Sequence, residues 1–393
     1  MKKIIALLLA TGILFTLPIK VKASDDIIED EEPVYGDSIC KDVKSAILIE
    51  AQTGEIIYEK NASDALPPAS VTKIMTLLLV AEALEEEKIS ADQTVTVSAE
   101  ASAMGGSQVF LKEGEEFTVE ELLKCAVIAS ANDASVALAE LIGGTESAFV
   151  SMMNERAKEL GLSSTNFENC TGLDDTVENH LTSAKDISIM SRELIKHPII
   201  TKYSSTWQDS IRDGEFILTN TNRLVRYYKG CTGLKTGSTD KAGFCLSATA
   251  ERDGMQLIAV VMGAATRDER NNCARALLDY GFAEYAVFSD PEAELESAPV
   301  VKGEVYEIGL KKDGFSYLCK KGDIKRIEKK YDIPEKITAP CNKDEGCGSV
   351  KYYLDGELIG QSGIFPTDSV DRISVGSVFV RILKTILVGY SAK

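Results

Sequence analysis

Residues 45–61, SAILIEAQTGEIIYEKN, alternate apolar and polar positions around a Thr-Gly pair and predict two short strands joined by a turn. Residues 67–84, PPASVTKIMTLLLVAEAL, follow another pattern. Pro67 and Pro68 stop any earlier helix, and apolar residues then occupy every side of the helical wheel, as in a core helix. Helical spacing returns over 119–129, 133–142 and 146–160, and again from Ser183, where Ser183 and Asp186 make a capping-box-like pair, to a stop before Pro198. Residues 243–250 and 255–264 read as strands turned by Arg-Asp-Gly, and 271–288 as a helix. Strands at both ends of this region, with helices between, predict one sheet completed by the two chain ends around a helical insertion. After Asp290, short alternating segments such as 300–310 and 348–359 predict a small all-β domain.

The two ends of the chain follow different rules. Residues 1–23 carry Lys2 and Lys3, an apolar run from Ile4 to Leu17 and a Val-Lys-Ala ending, which predicts a secretory signal cleaved after Ala23 and work outside the cytoplasm. Residues 24–43, which include DDIIEDEE, read as an acidic, disordered leader. The expected organisation is therefore signal 1–23, leader 24–43, a first domain 44–289, a β-rich domain 290–376 and a tail 377–393. In that tail Phe379, Ile382, Leu383, Ile386 and Leu387 follow helical spacing, with Arg381 and Lys384 opposite. The stretch is too short and charged to span a bilayer, which needs about 20 apolar residues, and it predicts an amphipathic helix lying on the membrane surface.

Charge and cysteine content narrow the function. Net charge is −18, and about −22 without the four lysines of the signal, so nucleic acid is excluded as a partner. Nine cysteines leave at least one unpaired; Cys341 and Cys347 are close enough in sequence to bridge, while Cys125, Cys170, Cys231, Cys245 and Cys273 read as buried thiols. With only His180 and His197, and no Cys-x-x-Cys or His-Glu-x-x-His, neither a metal site nor a cofactor is expected.

The candidate chemistry begins with a lysine out of place. Lys73 stands one turn after Ser70 in the apolar helix, on the same face. Ser70 could attack a carbonyl and Lys73, its pKa lowered by burial, could take the proton; a capping serine with a lysine reaching for water explains the pair equally well. Two further polar groups could converge on it. Ser130 and Asn132 break the chain between two helices, where Ser130 could relay a proton and Asn132 could bind an amide of an extended substrate. Lys235, Thr236, Gly237 and Ser238 precede a strand, with a cation and a hydroxyl suited to a carboxylate. An interhelix turn and an exposed Gly-rich turn are the competing explanations, but all three would have to hold together. The set Ser-x-x-Lys, Ser-x-Asn, Lys-Thr-Gly is that of serine β-lactamases and penicillin-binding proteins.

Residues from about 44 to 288 resemble the serine-type D-Ala-D-Ala carboxypeptidases, the low-molecular-mass penicillin-binding proteins. The likeness extends to Gly106-Ser107, SANDASVAL from Ser130, Thr171-Gly172-Leu173, His180 with Ser183, Ala184 and Asp186, and GLKTGSTDKAGF from Gly233. It implies an α+β, β-lactamase-like penicillin-recognising fold, an antiparallel sheet flanked by helices, with a separate β-rich C-terminal domain. It further implies that Ser70 is acylated, that Lys73 accepts its proton and that Ser130 relays a proton. Lys235 and Thr236 would hold the substrate carboxylate, the N–H groups of Ser70 and Ser238 the oxyanion, and His180 would be structural. Peptidoglycan stem peptides and β-lactams are the partners this implies. Two readings remain beside it: a β-lactamase, with Glu168 as the base that frees the acyl group, and a non-catalytic module that binds wall or senses β-lactams.

Overall fold

The computed structural model describes residues 39–390. The expected signal and all but the end of the leader lie outside them. Strands β1 (Ser45–Glu50) and β2 (Ile56–Lys60) form the first hairpin. A 3₁₀ turn, Ala69–Thr72, leads into α1 (Lys73–Glu85). Helices α2 (Val119–Ile128), α3 (Asn132–Gly143), α4 (Glu146–Glu159) and α5 (Ala184–Leu194) follow. Strands β3 (Cys231–Thr239), β4 (Gly243–Arg252) and β5 (Met255–Ala264) precede α6 (Arg267–Glu284). The sheet runs β2-β1-β5-β4-β3, antiparallel throughout, so the two chain ends do complete one sheet.

The central strands are buried on both faces, and side-chain alternation divides the core. Ile47, Ile49, Ile258 and Val260 join the cluster formed with the helical insertion. Ala46, Leu48, Leu257 and Ala259 join the opposite cluster, with Leu277 and Leu278 of α6. Helix α1 belongs wholly to the first cluster: Ile74, Met75, Leu77, Leu78, Val80 and Ala81 are buried around its circumference. An all-round apolar sequence is what such a central helix requires. Thr118 with Glu121 forms a full capping box at the start of α2, and the Ser183 hydroxyl accepts from the Asp186 N–H at the start of α5.

Four sequence expectations are corrected. The end of the leader is ordered: Ile39, Cys40 and Val43 are buried, and Cys40 is disulfide-bonded to Cys273 of α6. Three backbone carbonyls there, of Cys40, Lys41 and Val43, accept from the Lys60 ammonium. These apolar side chains, short as their run is, complete the cluster beneath α6, and Cys273 is not a free thiol. Cys341 and Cys347 are both free. The last helix stops at Glu284, because Tyr285–Asp290 forms a strand paired with Phe315–Lys320. Alternating Tyr285 and Val287 favour that pairing over another helical turn. Beyond it lie a six-stranded sheet with a cluster around Tyr352 and Ile364, and a terminal helix, Val375–Tyr390.

Candidate active site

Ser70 lies in the 3₁₀ turn, half-buried, ahead of α1. Lys73, the first residue of α1, is completely buried, and its Nζ has three neighbours: Ser70 Oγ at 3.0 Å, Asn132 Oδ1 at 2.6 Å and the Thr171 carbonyl at 2.8 Å. Burial lowers the Lys73 pKa to about 7, although the Asp133 carboxylate pulls it upward. A neutral amine has two N–H donors and one lone pair. Two of the three neighbours, Asn132 Oδ1 and the Thr171 carbonyl, can only accept, so the lone pair is left for the Ser70 hydroxyl. This is the arrangement of a general base beside its nucleophile.

The other two groups meet here. Ser130, buried and in the left-handed region at φ 60°, accepts from Lys235 Nζ at 2.7 Å. Lys235 also donates to its neighbour's carbonyl, Thr236 O, at 3.0 Å, and burial followed by the Lys73 charge holds its pKa well below the ordinary lysine range. Lys235 therefore fixes the Ser130 hydroxyl. Asn132 accepts from Lys73 through Oδ1 and donates one Nδ2 hydrogen to the Gly105 carbonyl at 2.7 Å, so it fixes the base and keeps a second N–H for an amide of an extended substrate. Asp133, buried beside it, accepts the N–H groups of Val109 and Leu111 at 3.1 Å each, tying that strap to the start of α3.

Two glycines set the close approach of backbones. Gly172, at φ 85°, lies so near the Ala69 carbonyl that an added Cβ would sit 1.9 Å from that oxygen, and its neighbour Thr171 thereby reaches Lys73. Gly237 of β3 packs on the 3₁₀ turn, where a Cβ would stand 2.7 Å from the Ser70 nitrogen and 2.8 Å from that of Val71. Gly237→Ala must push the turn and the strand apart. A displacement of about 1 Å can cost on the order of 100-fold in rate. We expect acylation by a penicillin to slow by about that factor in stopped-flow measurements, with the circular dichroism retained; an unchanged rate would show that the contact is not tight.

His180 is structural, as read from the sequence. Its Nδ1 accepts the Glu168 N–H at 3.0 Å, so Nε2 carries the proton and donates to Thr72 Oγ1 at 2.7 Å. Burial lowers its pKa to about 4, which keeps it neutral. Glu168 is exposed, its carboxylate accepting the Asn179 N–H, and it does not line the cleft.

Ser70, Ser130, Thr236, Gly237 and Ser238 line one cleft of about 530 Å³. A larger cavity, about 780 Å³, lies at the far end of α1 around Leu84 and Ile199 and holds none of these residues. No Asp or Glu lines the catalytic cleft, but Arg270 does, a residue the sequence reading missed. It is 3% exposed, donates to Asn271 Oδ1 and makes no ion pair among the described residues. Its signal in the sequence was only one arginine among several at the start of α6; its meaning lies in the lack of a counter-charge. Thr221, also missed, accepts from the Thr236 hydroxyl at 2.7 Å.

Residues 37–266 match the peptidase family S11, D-alanyl-D-alanine carboxypeptidase, and residues 286–372 match the C-terminal domain of penicillin-binding protein 5. The chain is 41% identical over 391 residues to the D-alanyl-D-alanine carboxypeptidase DacF of Bacillus subtilis (strain 168), covering 98% of this chain and 97% of the relative. It is 32% identical to DacC of Escherichia coli (strain K12), covering 92% and 91%. Among solved structures, penicillin-binding protein 5 from Haemophilus influenzae superposes with a TM-score of 0.74 at 30% identity, covering 86% of this chain and all of that one. Penicillin-binding protein D2 from Listeria monocytogenes, in its ampicillin-bound form, gives 0.57 at 32% identity, covering 61% and 98%.

Proposed function

This chain belongs to the D-alanyl-D-alanine carboxypeptidase family, and from that premise we propose that it removes the terminal D-alanine from peptidoglycan stem pentapeptides through an acyl-enzyme on Ser70. It is a serine-type carboxypeptidase with a penicillin-binding fold. Lys73 takes the hydroxyl proton as Ser70 Oγ attacks the carbonyl between the two D-alanines. The N–H groups of Ser70 and Ser238 hold the oxyanion. Ser130, oriented by Lys235, gives a proton to the departing D-alanine nitrogen, and water then cleaves the ester to release the shortened stem. A β-lactam acylates the same serine. The single observation that carries this reading is Lys73 Nζ held between Ser70 Oγ, Asn132 Oδ1 and the Thr171 carbonyl.

The absence of any acid lining the cleft, with Glu168 turned to Asn179, argues against a β-lactamase. One assay separates the readings. The purified protein is offered a peptide ending in D-Ala-D-Ala and, separately, a penicillin. Free D-alanine with slow penicillin turnover is expected; rapid penicillin hydrolysis would make it a β-lactamase, and no reaction with either a binding module.

Arg270, a buried cation that lines the cleft with Thr236 and makes no ion pair among the described residues, is the group we assign, with Thr236, to the terminal carboxylate. Arg270→Gln is expected to raise KM for a free-acid peptide about tenfold or more, a charge-assisted contact being worth about 1.5–3 kcal/mol, and to leave the low activity on its C-terminal amide. Equal losses on both would refute the assignment.

Export and membrane attachment complete the proposal. The terminal helix exposes Phe379, Ile382, Ile386 and Leu387, each more than half accessible, and carries Arg381 and Lys384 but no acid. The Arg381 guanidinium lies 4.2 Å from the Tyr306 ring, so its base is held to the β-rich region. No single described helix is long and apolar enough to cross a membrane. An exposed apolar face with basic residues suits the surface of an anionic bilayer, on the outer side if residues 1–23 direct export. Deleting residues 378–393 is expected to move the mature protein from the membrane to the soluble fraction with penicillin acylation intact. Continued sedimentation with membranes would rule the tail out as the anchor.

A further inference from the structure

The catalytic cleft holds more positive charge than one substrate carboxylate needs. Besides Arg270 it is lined by Arg223 and Arg267, both exposed, and neither side chain makes a hydrogen bond or ion pair among the described residues. In a chain of net charge −18, three arginines lining one cleft with no Asp or Glu among its lining residues are an unbalanced cluster. Asp268, beside Arg267 in the chain, is an acid whose charge bears on Arg270. Burial first, then the charges of Arg267 and Arg223, hold the Arg270 pKa down to about 10. These like charges are close enough to repel.

Their position relative to the chemistry gives them a side. The acyl carbonyl meets Ser70, and the leaving nitrogen takes its proton from Ser130. Beyond Ser130 lie the linked hydroxyls of Thr236 and Thr221. Arg223 follows Thr221 by two residues, and Arg267 stands one helical turn before Arg270 at the start of α6. Both line the same cleft as Thr221, Thr236 and Arg270, the groups assigned to the terminal carboxylate and its neighbour in the hydroxyl pair. The first turn of α6 also carries Asp268 and Glu269, and the Glu269 carboxylate accepts from the Ala265 and Thr266 N–H groups. Trp207 and Tyr227 close the wall, ring centroids 6.4 Å apart, and the indole N–H of Trp207 is buried with no acceptor among the described residues.

We propose that Arg223 and Arg267 form an anionic subsite for the side chain of the leaving residue, so that the enzyme releases a terminal D-residue bearing a second carboxylate in preference to its neutral isostere. The proposal rests on the carboxypeptidase reading above. A terminal D-glutamate would place its α-carboxylate at Thr236 and Arg270 and its γ-carboxylate at the exposed pair, while scission itself is unchanged.

The probes are N-acetylated tripeptides ending in D-Ala-X, where X is D-glutamate, D-glutamine or, as control, D-alanine. The wild-type enzyme is expected to release D-glutamate with a kcat/KM about tenfold above that for D-glutamine, one good charge-assisted contact. The advantage should shrink as salt is raised, since both arginines are exposed. In the double variant Arg223→Gln, Arg267→Gln the ratio should fall to about one. Because the ratio is taken within one preparation, partial unfolding cancels. Equal rates for the two peptides in the wild type would overturn the subsite, and so would an advantage that survives in the double variant. Failure to cleave even the D-Ala-D-Ala control would overturn the carboxypeptidase reading and the subsite with it, a result distinct from either of these.

Discussion

Ser70→Ala is expected to abolish D-alanine release and penicillin acylation together, a loss on the order of 10⁶ in kcat when a serine nucleophile is removed. The fold should persist. Ser70 is half-buried, and its Oγ has one hydrogen-bond partner, Lys73, which keeps two others in Asn132 and Thr171. Circular dichroism and thermal unfolding close to the wild type, with no turnover, are the expected pair of results. Substantial residual turnover would mean that another group attacks the carbonyl.

Lys73→Met is expected to slow acylation by a factor of about 10² to 10⁴, the usual contribution of a positioned general base. The wild-type pH profile carries the same claim. Lys73 is useful only when neutral, and burial brings its pKa down from the ordinary lysine value to about 7. The acylation rate should therefore be low in acid, rise through about pH 7 and level off above it; an ordinary exposed lysine would delay the rise to above pH 10. His180, at about 4, titrates too low to produce this inflection, and burial raises the Cys170 and Cys245 thiols away from it. Lys235 is also lowered, by burial and by Lys73, so the profile should be repeated in Lys235→Ala. An inflection near 7 that persists there belongs to Lys73. A rate independent of pH from 5 to 9 would mean that Lys73 is not the base.

Much of this site was legible because its residues sit at fixed short spacings at the starts of elements. Ser70 with Lys73, Ser130 with Asn132, and the Lys235–Ser238 run could each be read locally, and the all-apolar α1 showed that Lys73 would be buried. What could not be read was the backbone and the partnerless. The Thr171 carbonyl that completes the Lys73 shell is a main-chain atom, and only the glycine after it hinted at close packing. Arg270 acquires meaning from being buried without an ion pair among the described residues, which is a property of the fold. Asn132 reads from sequence as a substrate binder, and the structure adds a second task, since its Oδ1 accepts from Lys73 while one Nδ2 hydrogen is used by the Gly105 carbonyl. The leader was judged by its acidic run, yet a few apolar side chains and Cys40 suffice to order its end against α6. Tyr285–Asp290 continued a helical pattern until a partner strand outcompeted it.

The most direct test of the central claim is to locate the acyl group. The mature protein is incubated with a penicillin, quenched in acid, digested and mapped by peptide mass spectrometry. A single adduct on Ser70, formed faster above pH 7 than below it, is the predicted result. An adduct on Ser130, or none on a folded protein, would contradict the assignment of Ser70 as the nucleophile and Lys73 as its base.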